Sequence, residues 1–303
     1  MTSLPSQFSA QQFLRDAKTT ADAIGSGYSE SVTRTVVNAY AQSFHEGAVL
    51  WRATDKPGAT LNYRFYERRV TDTIGVAVRA GLLSPDNKMA YLINSWGDLY
   101  GGTPTELCDF DAERGLSKTW LYLGGIRPVE DILAVPAVPE PIRRHEPLFR
   151  DLGLVAVRHV AVDYHHDTAN IYFRTAQQIT PQQCEQFISL ARGKMPGDAV
   201  LKDMSKFTAP DGYTFSVTMS VDDGVIQRVG FYALRLPLGE FPSIDERLRI
   251  FFRTAPSHDE EEMNAVAWSF GPEGTNYMKA ERSYCGQLVA LMKAWNSPMA
   301  SIV

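Results

Sequence analysis

The sequence predicts an α+β fold in which ten antiparallel strands close into a β-barrel with helices around it. The first observation is an order of helix, helix, strand, strand that recurs five times at roughly 50–60-residue spacing, a long period typical of repeated units. The second is the alternation of polar and apolar residues in ten segments, as in half-buried strands. The third is that an open ten-stranded sheet would leave two exposed edges, which closure removes.

The first unit contains two helices followed by a hairpin. Ser9–Ile24 carries Phe13 and Ala17 at helical spacing and is followed by a glycine-rich stop. A second helix begins after Ser29, a suitable N-cap, and continues to Gly47. The period then changes to two, and the predicted strands are Ala48–Thr54 and Thr60–Tyr66.

The same order recurs in four further units. Their helices are predicted near Asp72–Leu83, Asn87–Tyr100, Val129, Ile142, Pro181–Arg192 with a weak helix after it, Ile244–Phe252 and Gly286–Trp295. Their strands are predicted at Glu106–Asp111, Ser117–Leu123, Ala156–Tyr164, Thr168–Arg174, Tyr213–Val221, Val225–Leu234, Ala265–Gly271 and Tyr277–Tyr284. Ten strands enclose a wider interior than eight, so we expect a lumen large enough for a ligand.

The composition is that of an ordinary globular protein. Of the 303 residues, 44% are hydrophobic and 21% are charged, which excludes a disordered chain. The net charge of −5 excludes a general affinity for nucleic acid. Three widely spaced cysteines predict neither a disulfide framework nor a zinc site. No segment approaches the roughly 18 apolar residues of a membrane span, so we expect a cytoplasmic protein without a membrane partner.

The strand faces that turn away from the helices carry five cations. If the apolar faces contact the helices, alternation places these residues in the lumen: Arg52, Arg64, Lys118, Arg228 and Lys279. Burial of uncompensated cations is strongly unfavourable, so a bound polyanion such as diphosphate would account for them. Trp120 and several tyrosines share these faces and suit a flat or cationic guest. The alternative is that the five cations lie on a solvated face of the sheet.

Other motifs that could carry chemistry are weak. His165-His166-Asp167 lies at a hairpin turn, where neighbouring side chains diverge, so a turn is favoured over a metal site. The acidic segment 258–262 is typical of a solvated loop and helix start. The sequence contains no GxSxG, P-loop or GxGxxG motif, and no aspartate cluster of the kind that binds magnesium in all-helical isoprenoid synthases.

Several segments match a known family. They are Gly47–Trp51, Leu99–Gly102, Lys118–Tyr122, Gly124–Leu133, Ala255–Asp259, Trp268–Gly271 and Lys279–Tyr284. With these segments the chain resembles the soluble aromatic prenyltransferases of the ABBA family, and most closely the aminocoumarin-pathway enzymes that prenylate 4-hydroxyphenylpyruvate. The family fold is a barrel of ααββ units, the PT barrel. The resemblance therefore implies one prenyltransferase domain over residues 1–303, which we expect to be a monomer without a cofactor.

The resemblance also assigns roles to individual residues. It implies diphosphate contacts at Arg52, Arg64, Lys118, Asn170, Tyr172, Arg228 and Lys279. Trp120 and Tyr232 would shield the prenyl group. Arg158 and Glu281 would bind the acceptor. Glu281, which would hold or partly deprotonate a phenol, and Lys118 are the expected catalytic residues.

The implied reaction is an electrophilic aromatic substitution. Dimethylallyl diphosphate would ionise, and the ring of 4-hydroxyphenylpyruvate would be alkylated at the carbon ortho to its hydroxyl. Family members that need magnesium carry an aspartate at the position of Asn62, so the resemblance implies catalysis without a metal, with Arg64 supplying a nearby cation. His166 stands where some members have lysine.

Three alternatives remain open at this point. The acceptor could be a dihydroxynaphthalene, a phenazine or another phenol, because barrel rims change without altering the diphosphate site. The chain could instead be a non-catalytic carrier of an anionic aromatic ligand, since barrels also serve that purpose. Glu281 could only pair with Lys279, two residues away on the same face, and take no part in binding the acceptor.

Overall fold

The ten predicted strands are present and close into one barrel. The computed structural model describes residues 8–101 and 104–297, so both ends of the predicted domain and Gly102 lie outside the described residues. The strands are β1 (Ala48–Thr54), β2 (Asn62–Tyr66), β3 (Thr105–Asp111), β4 (Gly115–Pro128), β5 (Ala156–Asp163), β6 (Thr168–Arg174), β7 (Thr214–Ser220), β8 (Ile226–Ala233), β9 (Asn264–Phe270) and β10 (Asn276–Cys285). Each strand pairs antiparallel with the next one in the chain, and β10 pairs with β1, which closes the sheet.

The helices lie before the first hairpin, between the hairpins and after the last strand. They are α1 (Ala10–Ala23), α2 (Glu30–Ala39), α3 (Ala41–Glu46), α4 (Thr73–Arg79), α5 (Lys88–Asp98), α6 (Val129–Ala134), α7 (Glu140–Arg143), α8 (Glu146–Asp151), α9 (Pro181–Ser189), α10 (Asp198–Phe207), α11 (Glu246–Thr254) and α12 (Leu288–Ala294). Ser9 and Ser29 are N-caps, because each side chain accepts a hydrogen bond from a backbone N–H group in the first turn of its helix. In the described parts of the chain, no helix combines the length and apolar character needed to cross a bilayer.

Most elements differ from their predicted bounds by a few residues at one end or both, and two differ for reasons that the structure shows. The single helix predicted from Ser29 to Gly47 is interrupted at Tyr40, whose backbone leaves the helical conformation while its buried hydroxyl donates to the carbonyl of Thr73 at 3.0 Å. Strand β4 continues beyond Leu123, because its last two residues pair again with β5 after an irregularity. That irregularity contains Gly124 and Gly125, with φ of 72° and 155°, values that glycine adopts readily.

The fifth unit departs from the ααββ order. Among residues 8–101 and 104–297 it has one helix, α11, before its hairpin. The stretch before α11 is irregular and contains Pro237 and Pro242. Proline lacks the N–H that a helix interior requires, so this stretch does not form the second helix.

The two faces of the barrel pack against different partners. Outward side chains contact the helices, as where the rings of Phe13 and Trp51 stack with centroids 4.7 Å apart. Inside the barrel, an apolar cluster that includes Leu107 fills one end, and α12 contributes Leu288 and Met292 to it. The five predicted cations line a cavity in the rest of the interior, where the predicted lumen is present. Burial of the apolar faces therefore leaves part of the barrel interior open to a ligand.

Candidate active site

The barrel encloses a cavity of about 410 Å³. Five cationic side chains line it, and we call this set the cation belt: Arg52, Arg64, Lys118, Arg228 and Lys279. The alternative that these residues occupy a solvated face of the sheet is wrong, because they face the lumen, where Arg64 and Lys118 are buried. The prediction from strand alternation that the five cations face the lumen is therefore confirmed.

Strand register brings carboxylates between the cations. Arg64 of β2 lies opposite Asp109 of β3. Lys118 of β4 lies between Asp109 on one side and Asp163 of β5 on the other. Because residues directly opposite one another on antiparallel strands point to the same face, the charges alternate around the lumen. The belt is thus partly neutralised before any ligand binds.

Asp109 is the counterion of two arginines. Its carboxylate accepts hydrogen bonds from Arg52 Nη1 at 2.5 Å, from Arg64 Nη2 at 3.2 Å and from Arg64 Nε. The Asp109 side chain is 1% exposed. Although burial favours its protonated form, the two guanidinium groups hold the pKa of Asp109 well below its usual value. Arg52 also donates to Asn62 Oδ1 at 2.6 Å, so this arginine is fixed from two sides.

Asp163 neutralises Lys118 in a similar way. Lys118 Nζ lies 2.7 Å from Asp163 Oδ2, and both side chains are buried. Burial lowers the pKa of Lys118, although Asp163 opposes this shift. Burial would raise the pKa of Asp163, but Lys118 and His166 hold it well below its usual value. The backbone N–H groups of His165 and His166 also donate to Asp163, as the predicted hairpin turn requires.

Two members of the cation belt differ from the other three in their partners. Within the part of the chain that the structure describes, Arg228 and Lys279 form no ion pair with an acidic side chain. Arg228 Nη2 donates to Thr218 Oγ1 at 3.2 Å, and Thr218 donates in turn to Asn170 Oδ1 at 2.6 Å. Asn170 is 1% exposed, and its Nδ2 has no hydrogen-bond partner among the described residues. Positive charge that lacks a counterion favours an anionic ligand here.

Three aromatic side chains form the inner side of the cavity, and we call Trp120, Tyr172 and Tyr232 the aromatic wall. The ring centroids of Trp120 and Tyr172 lie 4.4 Å apart, and those of Tyr172 and Tyr232 lie 5.9 Å apart. The Arg64 guanidinium lies 4.3 Å from the centroid of the Trp120 ring. A second cavity of about 50 Å³ lies next to the first, and the aromatic wall, Arg64 and Glu281 line both.

Glu281 lies at the boundary between the two cavities. Its Oε1 is 3.5 Å from Arg64 Nη2, and its side chain is 12% exposed. The alternative that Glu281 only pairs with Lys279 is wrong. Instead, Lys279 Nζ lies 5.7 Å from the ring centroids of both Tyr232 and Tyr277. The Glu281 carboxylate is therefore available to a ligand from either cavity.

Arg158 and His159 line the second cavity together. A β-bulge between Val157 and His159 lets two consecutive residues face the same side. Arg158 Nη2 donates to the carbonyl oxygen of Trp295 at 2.6 Å, whereas its buried Nε has no hydrogen-bond partner among the described residues. Burial, together with the charges of Arg158 and Arg64, lowers the pKa of His159 to about 3, so its imidazole is neutral.

Some residues of the lumen were missed by the sequence analysis. Asp109 and Asp163 are the main omissions, although alternation along β3 and β5 would have placed both on the inner face. Tyr277 is one of the tyrosines that alternation placed on the inward faces, and it received no role because its surroundings depend on the tertiary fold. His159 was also missed, although alternation with Ala161 and Asp163 along β5 would have placed it on the inner face; the bulge adds Arg158 to that face.

The two weak metal motifs are explained by local contacts. His166 contacts Asp163, and His258 Nε2 lies 3.3 Å from Asp16 Oδ2. In the described ranges, no three or more histidine, cysteine or acidic groups lie close enough together to hold a metal ion. Cys108, Cys184 and Cys285 are buried free thiols.

Comparisons with known proteins agree with this geometry. The family model described as aromatic prenyltransferase Orf2 matches residues 8–296. The chain is 51% identical over 306 residues to an aromatic prenyltransferase of Sclerotinia sclerotiorum, covering 99% of each chain. It is 43% identical over 298 residues to the 4-hydroxyphenylpyruvate 3-dimethylallyltransferase of Streptomyces niveus, covering 98% of this chain and 92% of that one.

A solved structure with the same fold is 5-dimethylallyltryptophan synthase from Streptomyces coelicolor. Its TM-score is 0.58 at 13% sequence identity, over 92% of this chain and 98% of that chain. The shared architecture confirms the predicted barrel, the PT barrel of ABBA prenyltransferases. The family match over nearly the whole chain and the two relatives show the reaction class. The chain therefore belongs to the Orf2 family of aromatic prenyltransferases, ABBA-type enzymes that transfer prenyl groups to aromatic acceptors.

Proposed function

We propose that this enzyme transfers the dimethylallyl group of dimethylallyl diphosphate to the carbon ortho to the hydroxyl of 4-hydroxyphenylpyruvate, without a divalent metal. The observation that carries the proposal is a pair of neighbouring cavities inside the barrel: the cation belt lines the larger one, and the aromatic wall and Glu281 line both. These three groups suit the diphosphate, the allyl group and the phenol of the two substrates.

The cation belt is suited to the diphosphate. Arg228 and Lys279 supply positive charge that no described carboxylate neutralises, and Lys118 adds a donor from another strand. When the bond between C1 and oxygen breaks, its electron pair moves to the diphosphate, and donors already in position stabilise that charge. Each hydrogen bond to a charged group contributes about 1.5–3 kcal/mol. Tyr172 would contact the diphosphate directly, while Asn170 would act through Thr218.

The aromatic wall is suited to the allylic cation. Aromatic faces attract cations through the negative potential above the ring. Trp120 and Tyr232 lie on either side of Tyr172, so a five-carbon cation next to the wall would meet ring surface rather than water. Exclusion of water prevents capture of the cation as an alcohol. The wall would therefore protect the cation until the acceptor ring attacks it.

Arg158 and Glu281 are suited to opposite ends of an acidic phenol. The unpartnered Nε of Arg158 is a buried donor, and a carboxylate would satisfy it. Glu281 would accept a hydrogen bond from the phenolic hydroxyl, which would increase the electron density of the ring. The relative from Streptomyces niveus is named a 4-hydroxyphenylpyruvate 3-dimethylallyltransferase, and carbon 3 of that acid is ortho to its hydroxyl. These observations support 4-hydroxyphenylpyruvate as the acceptor.

Metal independence is supported by the surroundings of Asn62. Magnesium prefers charged oxygen ligands, and Asn62 offers a neutral amide that already accepts from Arg52. Arg52 and Arg64 share the carboxylate of Asp109, and Arg64 also lies 3.5 Å from Glu281, so these arginines offer the diphosphate guanidinium donors rather than unneutralised charge. We further propose that residues 1–303 act as one domain, as a monomer in the cytoplasm, because a single barrel contains every described part of the site.

One incubation tests this function. The protein is mixed with dimethylallyl diphosphate and 4-hydroxyphenylpyruvate in excess EDTA, and the product is examined by mass spectrometry and NMR. We expect alkylation at carbon 3 of the ring, at the same rate as in a parallel incubation with magnesium. Loss of turnover in EDTA that magnesium restores would contradict metal independence, and turnover of a neutral dihydroxynaphthalene alone would contradict the acceptor. Lys279→Ala should be impaired, whereas Lys293→Ala, which removes an exposed cation of α12, serves as the matched control.

A further inference from the structure

Tyr277 lies in the larger cavity and has no role in the function described so far. It stands on β10, on the same inward face as Lys279 and Glu281. Three cations surround its ring. Lys56 Nζ lies 3.9 Å from the ring centroid, Lys279 Nζ lies 5.7 Å from it, and the Arg228 guanidinium lies 5.8 Å from it. The phenol is thus placed among the cations that would hold a diphosphate.

The charged groups that face Tyr277 in the described chain come from three elements and are all positive. Lys56 belongs to the turn after β1, Arg228 to β8 and Lys279 to β10 itself, while the residue opposite on β9 is the uncharged Ser269. Although burial raises the pKa of Tyr277, these three positive charges lower it to about 7. A phenol in this position therefore gives up its proton readily near neutral pH.

We propose that Tyr277 donates a hydrogen bond to the diphosphate and transfers its proton to it as the allylic bond breaks; this inference rests on the proposed function. The bond between C1 and oxygen breaks, and its electron pair moves to the α-phosphate oxygen. The bond between oxygen and hydrogen of Tyr277 also breaks, and the proton moves to a diphosphate oxygen. The step yields the allylic cation, a protonated diphosphate and a tyrosinate that Lys56, Lys279 and Arg228 stabilise.

The proton lost by the acceptor ring balances the proton that the tyrosinate regains at the end of the cycle. Attack by the ring forms a bond between two carbons, and the ring carbon then loses one proton to solvent, which restores aromaticity. The tyrosinate regains one proton from solvent after diphosphate leaves. Proton transfer of this kind contributes roughly 10²–10⁴-fold to a rate. Protonation also lowers the charge of the diphosphate, which weakens its hold on the cation belt and assists its release.

A spectroscopic titration tests the inference without relying on turnover. Bound diphosphate adds negative charge next to Tyr277, so a tyrosinate present at about pH 8 should take up a proton on binding. Addition of inorganic pyrophosphate should therefore reduce the near-ultraviolet tyrosinate absorbance by about one tyrosine per chain. Tyr277→Phe should lack this change. Tyr232→Phe, which removes the other tyrosine next to Lys279, should retain it and is the matched control.

The outcomes separate the inference from the proposed function. Pyrophosphate binding without a loss of tyrosinate, or loss of the signal in Tyr232→Phe alone, would overturn the inference and leave the proposed function intact. Failure of pyrophosphate to bind the unaltered protein would overturn both.

Kinetics give a second, independent test. Tyr277→Phe should lower kcat roughly 10- to 100-fold, change KM less, and lose the dependence of kcat/KM on pH near 7. If Tyr277 were only structural, Tyr277→Phe would lower the urea midpoint of unfolding but keep that pH dependence. An unchanged kcat would overturn the inference.

Discussion

Asp109→Asn is expected to destabilise the barrel strongly. Asparagine has nearly the same shape as aspartate but no charge, so Arg52 and Arg64 lose the counterion that accepts three of their hydrogen bonds. Removal of one partner from a buried ion pair costs about 3–5 kcal/mol, because the remaining charge stays buried. Arg52 keeps its bond to Asn62 and Arg64 keeps Glu281 at 3.5 Å, so we expect a loss near the lower end, about 3 kcal/mol.

The same contacts predict a dependence of stability on pH. The pKa of Asp109 in the folded chain lies well below its unfolded value of about 3.9. Below roughly pH 5 the unfolded chain therefore binds a proton that the folded chain does not, and stability falls as the pH falls. Asp109→Asn lacks this contribution at every pH. The difference in free energy of unfolding between the two proteins should therefore shrink in acid.

Urea unfolding followed by circular dichroism measures both effects. The midpoints are compared at about pH 7, above the window in which the contribution of Asp109 is lost, and at about pH 3, inside that window. Asp167→Asn is the matched control, because Asp167 pairs with Lys88 at 3.2 Å but is 46% exposed, and its loss should change stability by less than about 1 kcal/mol. A change of similar size in both variants, or a difference that does not vary with pH, would refute the reasoning.

Three further predictions concern the two substrates and the inner end of the barrel. Arg228→Ala should lower kcat/KM about 10- to 100-fold with an unchanged circular dichroism spectrum, because a charge-assisted bond to diphosphate is lost; a normal rate would remove Arg228 from the site. Arg158→Ala should reduce turnover of 4-hydroxyphenylpyruvate several-fold more than turnover of a neutral dihydroxynaphthalene, because only the acid loses an ion pair; equal losses would make Arg158 structural. Leu288→Ala, in the fully buried apolar cluster of α12, should lower the free energy of unfolding by about 2–5 kcal/mol in urea; an unchanged midpoint would show that this contact contributes little.

Most of the barrel could be predicted because its strands follow a local rule. Alternation located all ten strands, and β1 and β6 have the predicted bounds. The break at Tyr40 could not be predicted, because it follows from burying one ring between helix and sheet. The extension of β4 past Leu123 was missed for a related reason, since two glycines interrupt the period before pairing resumes.

The site was predictable only where it depends on which face a residue occupies. Alternation placed the cation belt in the lumen, but it gives no information about which residues lie opposite one another. The counterions Asp109 and Asp163 depend on that register. Arg158 reaches the second cavity through a bulge, so its role came from the family resemblance alone. The surroundings of Tyr277 depend on Lys56, which a turn brings over its ring.

The central claim is that the cation belt binds the diphosphate of a prenyl donor inside the barrel. The most direct measurement is a crystal structure of the protein with a thiolodiphosphate analogue of dimethylallyl diphosphate, which does not ionise readily. We predict that the diphosphate oxygens lie within hydrogen-bond distance of Arg228, Lys279 and Lys118, with the dimethylallyl group against the rings of Trp120 and Tyr232. A diphosphate bound outside the lumen, or inside it without contact to any of these three cations, would contradict the account.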